Sequence, residues 1–222
     1  MDSNNVNIYQ DEITSPLAWK RDDLATSDWK IKIPDQVLDE LEILISFLRV
    51  NPTPLEVLDP RDFELGECSR FMRKVQTIIS LGTGIAIVSK LPTTKFNKDE
   101  LKQIYWLLSS MIARPVAQSY DGRLLYDVID TGQKIGTRTR GDLTNQELSW
   151  HTDYGFNFPP PFIGLLVLNT APKGGISRVA SMLNAHNILR EKYPRYLERL
   201  YKPFWWNRQG EHHEGDAPTH FY

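Results

Sequence analysis

The residues Leu148-Ser149-Trp150-His151-Thr152-Asp153 place an imidazole and a carboxylate two positions apart. On an extended backbone, residues i and i+2 face the same side. His151 and Asp153 would then project together, with Thr152 turned away. One imidazole nitrogen and one carboxylate oxygen on a shared face can fill two adjacent positions of a metal ion. A second histidine from another strand would complete the facial set of two histidines and a carboxylate that suits non-haem Fe(II). Three octahedral positions then stay open for a chelating co-substrate and dioxygen. His-x-Asp alone also arises by chance in many proteins, so its surroundings have to decide.

The other chemically capable residues divide less clearly. Cys68 is the single cysteine and lies in a helix-like stretch, as a small core residue rather than a nucleophile. His186 falls in a predicted helix and reads as packing or surface. His212 and His213, beside Glu211 and Glu214, can collect a metal adventitiously, but neighbours on a strand face opposite ways. Arg138, Arg140 and Arg178 are either substrate contacts or solvated loop positions. Trp150, Tyr154, Phe156 and Phe158 either line a substrate pocket or pack in the core.

The elements that must carry these groups follow from periodicity. Residues 1–30 are polar and irregular, with Trp19 and Trp29 as anchors. A helix starts at Pro34-Asp35, repeats Val37, Leu38, Leu41, Leu44, Ile45 and Leu48 at helical spacing, and ends at Asn51-Pro52. A second covers Cys68 to Ile79 and closes at Gly82 and Gly84. A third is capped by Asn97 with Glu100 three residues later, a capping box, and runs to about Ile112. Asn184 to Tyr193 is helical and continues after Pro194. Predicted strands are Gly84–Val88, Leu124–Ile129, Glu147–Asp153, Phe162–Asn169, Ile176–Ala180 and Phe204–Trp206. Helices dominate the first half and short strands the middle, which predicts an α+β domain with helices outside a β-sandwich or barrel.

Composition narrows the function classes. The 222 residues, 41% hydrophobic and 24% charged, suffice for one large domain, or one with an extension. The net charge of −2, from 26 basic and 28 acidic residues, supplies no field for nucleic acid or an anionic membrane. Met1–Gln10 lacks an apolar signal core, and the run Phe162–Leu168 is too short to span a bilayer. One cysteine cannot form an intrachain disulfide. A cytoplasmic protein is the expectation.

Downstream of His151-Thr152-Asp153 come Pro159-Pro160-Pro161, an apolar strand from Phe162 to Leu168, then Asn169-Thr170-Ala171-Pro172-Lys173-Gly174-Gly175-Ile176-Ser177, and a helix after Ser181. Upstream stand Gly82-Thr83-Gly84-Ile85-Ala86-Ile87-Val88, Arg140-Gly141 and Thr144–Leu148. In this order the chain resembles the taurine dioxygenase family, part of the clavaminate synthase-like Fe(II)/2-oxoglutarate oxygenases, over roughly residues 75–195. The resemblance implies a double-stranded β-helix (jelly roll) with flanking helices. It implies a dioxygenase that oxidises a small organic substrate, by hydroxylation or desaturation, with release of succinate and CO2. His151 and Asp153 would be iron ligands. Ser177 stands where the family has a hydroxyl for a 2-oxoglutarate carboxylate; its other reading is a turn residue after Gly174-Gly175. Related halogenases carry a small residue in place of the carboxylate, so Asp153 points away from halogenation.

The family also has a distal histidine and, shortly after it, an arginine for 2-oxoglutarate, and no residue here matches either. About six strands are counted, where a jelly roll needs about eight. The expectation is therefore an irregular extension over 1–30, then the N-terminal and central part of one jelly-roll domain over 31–222, incomplete at its C-terminus. Open sheet edges would favour association, making a homo-oligomer an expected partner state. The expected small partners are substrate, 2-oxoglutarate and O2. Two alternatives stay open: a catalytically inactive fragment or pseudoenzyme that keeps the β-sandwich as a binding module, and a zinc hydrolase on a cupin-like barrel.

Overall fold

The computed structural model describes residues 7–119, 121–134, 141–153, 159–208 and 212–221. Their contacts fall into two compact units. The first comprises the chain up to Arg114 together with Leu165–Tyr201; the second comprises Pro115–Gly164 with Lys202–Tyr222.

The first unit is built on three helices. The apolar repeat at 37–48 forms α1, Asp35–Val50, which buries Val37, Leu41, Leu44, Ile45 and Leu48. Helix α2, Gly66–Leu81, buries Cys68, Phe71, Met72 and Val75. Helix α3, Lys98–Ser110, adds Leu101, Ile104, Trp106, Leu107 and Leu108. Leu41, Ile45, Ile104 and Leu107 are fully enclosed at the centre of this cluster. The Trp106 indole donates to the Leu58 carbonyl at 3.0 Å, so its one polar atom is satisfied in the core.

Carboxylates lock the helix starts. Asn97 caps α3 by accepting from the Asp99 and Glu100 amides, and Glu100 accepts from the Asn97 amide in return at 2.8 Å. The same Glu100 takes a two-pronged ion pair from Arg49 of α1, at 2.8 and 3.2 Å. The Arg49 hydrogen bond, with the Asn97 amide, holds the Glu100 carboxyl below its ordinary value against the opposing effect of burial. Glu40 of α1 reaches across to α2 and accepts from the Glu67 and Cys68 amides at 2.8 Å each. Burial alone would raise its carboxyl; the backbone amides outweigh that and lower it.

Strand β1, Lys30–Ile31, and β2, Ile87–Val88, pair in parallel through Trp29, Ile31, Ile87 and Ser89, a crossover that needs the intervening helices. Residues 9–19 carry no helix or strand and are held against the first unit as a strap. The Trp19 indole donates to the Thr83 carbonyl at 2.7 Å, in keeping with its expected anchoring role. Gly84 takes φ +76 directly against the Leu17 side chain, which leaves no space for a Cβ there. The strap then meets α4, Met182–Lys192. Asn187 accepts from the Ile13 amide and donates to the Ile13 carbonyl, both at 2.9 Å. A short helix, α5, follows at Pro194–Leu200.

The second unit holds a turn of 3-10 helix at Gly141–Leu143, whose Leu143 carbonyl accepts from both the amide and the hydroxyl of Thr131. It also holds an antiparallel hairpin of β3, Trp205–Asn207, and β4, Thr219–Phe221. Trp205 faces Phe221 across it with ring centroids 5.1 Å apart.

These four short strands are the sheet content of the described residues. The expected β-sandwich or jelly roll does not form among them. The segments 124–129, 147–153, 162–169 and 176–180 were expected as strands and make no ladder. Alternating apolar residues mark a backbone that suits a sheet, but a strand exists only where a neighbour pairs with it. Ile163, Leu165, Val167, Ile176 and Val179 accordingly stand exposed. No helix among the described residues is long and apolar enough to cross a membrane.

Two stability measurements check this packing. Ile104→Ala removes a fully enclosed side chain and is expected to cost about 2–5 kcal/mol in urea unfolding, with an unchanged slope. Glu100 titrates below its ordinary value when folded, so its contribution is complete at neutral pH and is lost as pH falls through the unfolded and then the folded carboxyl range. Arg49→Ala should flatten that acid-side loss in a pH series of melting temperatures, while leaving the alkaline side unchanged.

Candidate metal centre

His151 and Asp153 lie in the second unit on a bent, irregular backbone rather than on the expected strand. The i, i+2 alternation of a strand is thus not what aligns them. Even so, His151 Nε2 and Asp153 Oδ1 lie 3.6 Å apart. The His151 ring is fixed from its other side: Nδ1 lies 2.7 Å from the Ser149 carbonyl. A carbonyl only accepts, so Nδ1 carries a hydrogen, and Nε2 is the ring nitrogen that faces Asp153. A backbone carbonyl on the remote nitrogen is the usual way a metal-binding imidazole is oriented.

Two donors each about 2.1 Å from one ion, at right angles, lie about 3 Å apart. Holding a shared ion would need the pair, now 3.6 Å apart, to draw closer together. Half of each side chain is open to solvent, at 51% for His151 and 42% for Asp153, so an ion has access. The donor set is one neutral nitrogen and one hard oxygen, which fits Fe(II) and other borderline divalent ions. No group of three histidine, cysteine, aspartate or glutamate residues gathers among the described residues.

Ser177 belongs to the first unit, in the exposed run 171–180, and comes shortly after Gly174 and Gly175, both at positive φ. The remaining candidates serve other ends. His186 Nε2 meets the Tyr201 hydroxyl at 3.0 Å, and its ring packs between Tyr9 and Tyr201. His212 Nδ1 lies 3.1 Å from the His213 carbonyl, and the His213 amide bonds Asp216. His220 Nδ1 accepts from Arg208 at 3.2 Å. Cys68 is wholly buried; enclosure, reinforced by the Glu40 carboxylate, pushes its thiol up and removes it as a nucleophile. Trp150 is exposed. Arg138, Arg140, Tyr154, Phe156, Phe158 and Glu211 lie outside the described residues.

Sequence reasoning missed the Ser149 carbonyl that holds His151, because a backbone acceptor leaves no mark in residue type. The arrangement predicts the imidazole state directly. In the metal-free protein, ¹⁵N chemical shifts of the His151 imidazole should show the Nδ1–H tautomer. The reverse tautomer would remove the orienting role of Ser149.

The family model described as Taurine catabolism dioxygenase TauD, TfdA family matches residues 58–222, about three quarters of the chain. The matched region contains His151, Asp153 and Ser177 and extends across parts of both units. No curated protein sequence matches the chain significantly. On the strength of the family match, with the His-Thr-Asp pair inside it, the chain belongs to the TauD/TfdA dioxygenase family.

Proposed function

We propose that the protein is an Fe(II)- and 2-oxoglutarate-dependent dioxygenase in which His151 and Asp153 are two of the metal ligands and Ser177 helps bind the co-substrate. The observation that carries this reading is the approach of His151 Nε2 to Asp153 Oδ1 within a matched family region. Family membership supports the iron and the 2-oxoglutarate, and supports a small-molecule substrate. A single family match over 58–222 also supports reading 31–222 as part of one oxygenase domain of the jelly-roll family. The lone cysteine suits the reducing cytoplasm, where we place the protein.

Bound iron would supply oxidation of a substrate C–H bond by dioxygen, coupled to conversion of 2-oxoglutarate into succinate and CO2. The chain's own residues do the positioning. Ser149 keeps the proton on His151 Nδ1, so Nε2 remains a donor rather than an acid. Asp153 contributes a negative charge that offsets part of the metal's own. Ser177, in its exposed loop, offers a hydroxyl to a carboxylate, which needs donors once it leaves water.

A second reading, an inactive relative that keeps the fold as a binding module, is favoured by one observation: no third histidine, cysteine or acid joins the pair among the described residues. One experiment separates them. Anaerobic addition of Fe(II) and 2-oxoglutarate should give a weak visible charge-transfer band, and air should then yield succinate. His151→Ala should reduce succinate release at least about 100-fold, more than the roughly 10–100-fold that losing a partner of a metal ligand typically costs. Succinate release that survives His151→Ala unchanged rejects the ligand assignment. A wild-type protein that binds Fe(II) but gives neither band nor succinate favours the inactive relative, and zinc, with its filled d shell, can give no such band.

A further inference from the structure

A cavity of about 250 Å³ opens within the first unit where the strap, the end of α4 and α5 meet. Ile8 borders it on the strap side, Arg190 on α4, and Pro194, Arg195, Leu197 and Glu198 on α5. Its walls are tied together. Asn187 pairs in both directions with the main chain of Ile13, and Arg190 Nη1 donates to the Gln10 carbonyl at 2.9 Å, so the strap is fixed to α4. His186 Nε2 meets the Tyr201 hydroxyl at 3.0 Å, which ties α4 to the end of α5. The Tyr9 and Tyr201 rings stand 6.2 and 6.0 Å from that of His186. The concavity is thus formed without a ligand.

The side chains around it define an occupant. Arg190 and Arg195 come from different helices, and no acidic side chain pairs with either among the described residues. Arg190 spends Nη1 on Gln10, while its Nε is enclosed with no hydrogen-bond partner. A guanidinium drawn partly out of water with a donor unmet favours an anion, and its planar fork matches a carboxylate. Glu198 sets a limit on that anion. Two positive groups against one negative suit a single negative charge and oppose a dianion. Leu197 is buried, and with Ile8 and Pro194 it offers an apolar surface to a hydrocarbon body. The volume falls below the roughly 300–1,000 Å³ of drug-sized sites, so the occupant is compact. We propose that this cavity binds a small monocarboxylate with an apolar body, its carboxylate held by Arg190 and Arg195. The site lies wholly in the first unit and depends on neither the His151 and Asp153 pair nor Ser177.

The test uses the full chain, free of metal, titrated with isovalerate and followed by ¹H–¹⁵N NMR. Amides over 8–10 and 190–198, and the Arg190 Nε–H, should shift together, with half-saturation on the order of millimolar. Isoamyl alcohol keeps the body without the charge, acetate keeps the carboxylate without the body, and inorganic phosphate brings a second negative charge. Each should need at least about tenfold more. Arg195 is exposed, so Arg195→Gln should leave the melting temperature unchanged. It should raise half-saturation about tenfold, the scale of one charge-assisted hydrogen bond. Glu198→Gln should narrow the gap between phosphate and isovalerate. No shift in these amides well past millimolar concentration overturns the proposal, and so does an unchanged half-saturation in Arg195→Gln. Isoamyl alcohol that binds as well as isovalerate also overturns it, since an apolar crevice alone would do that. Phosphate that binds as tightly as isovalerate overturns the assigned class. If Arg195→Gln does not fold, Arg195→Lys keeps the charge without the planar fork and should raise half-saturation about threefold.

Discussion

The first unit depends on supplying partners for the free amides at helix starts, and it does so with carboxylates placed on neighbouring elements. Glu40 reaches from α1 to the first turn of α2, and Glu100 closes the start of α3 while receiving Arg49 from α1. Each acid sits where unpaired amides and the positive end of the helix dipole favour negative charge. These links bridge the three helices whose apolar faces meet in the core. The enclosed set of Leu41, Ile45, Ile104 and Leu107 fits only in that setting.

The pair His151 and Asp153 follows similar logic on a smaller scale. A main-chain carbonyl, that of Ser149, determines which imidazole nitrogen is available, and the bend of the chain brings the carboxylate to it. Nothing about this needs a long regular strand. It needs one accepting carbonyl two residues before the histidine and one acid two residues after it.

The helices were legible in the sequence because their determinants are local. The 37–48 repeat and the Asn97/Glu100 box each lie within a few turns, and both formed where predicted. The pairing of His151 with Asp153 was also legible, although the reason offered for it, strand alternation, was not the one found. The strands were less legible. Phe162–Leu168 announces a sheet-like backbone but says nothing of its neighbour. Trp205–Asn207 pairs with Thr219–Phe221, where no strand was expected. The strap was invisible for a related reason. Asn187 and Ile13 are 174 positions apart, and an asparagine in a helix gives no hint that it grips a distant main chain.

Cys68 gives the protein a practical property. It is the chain's one thiol, fully enclosed beneath α1 and held in its unreactive protonated form by burial and by Glu40. Alkylating reagents can reach it only when the three-helix cluster comes apart. Its rate of modification is therefore an intrinsic clock for the opening of that cluster, readable by mass alone and requiring no engineered label.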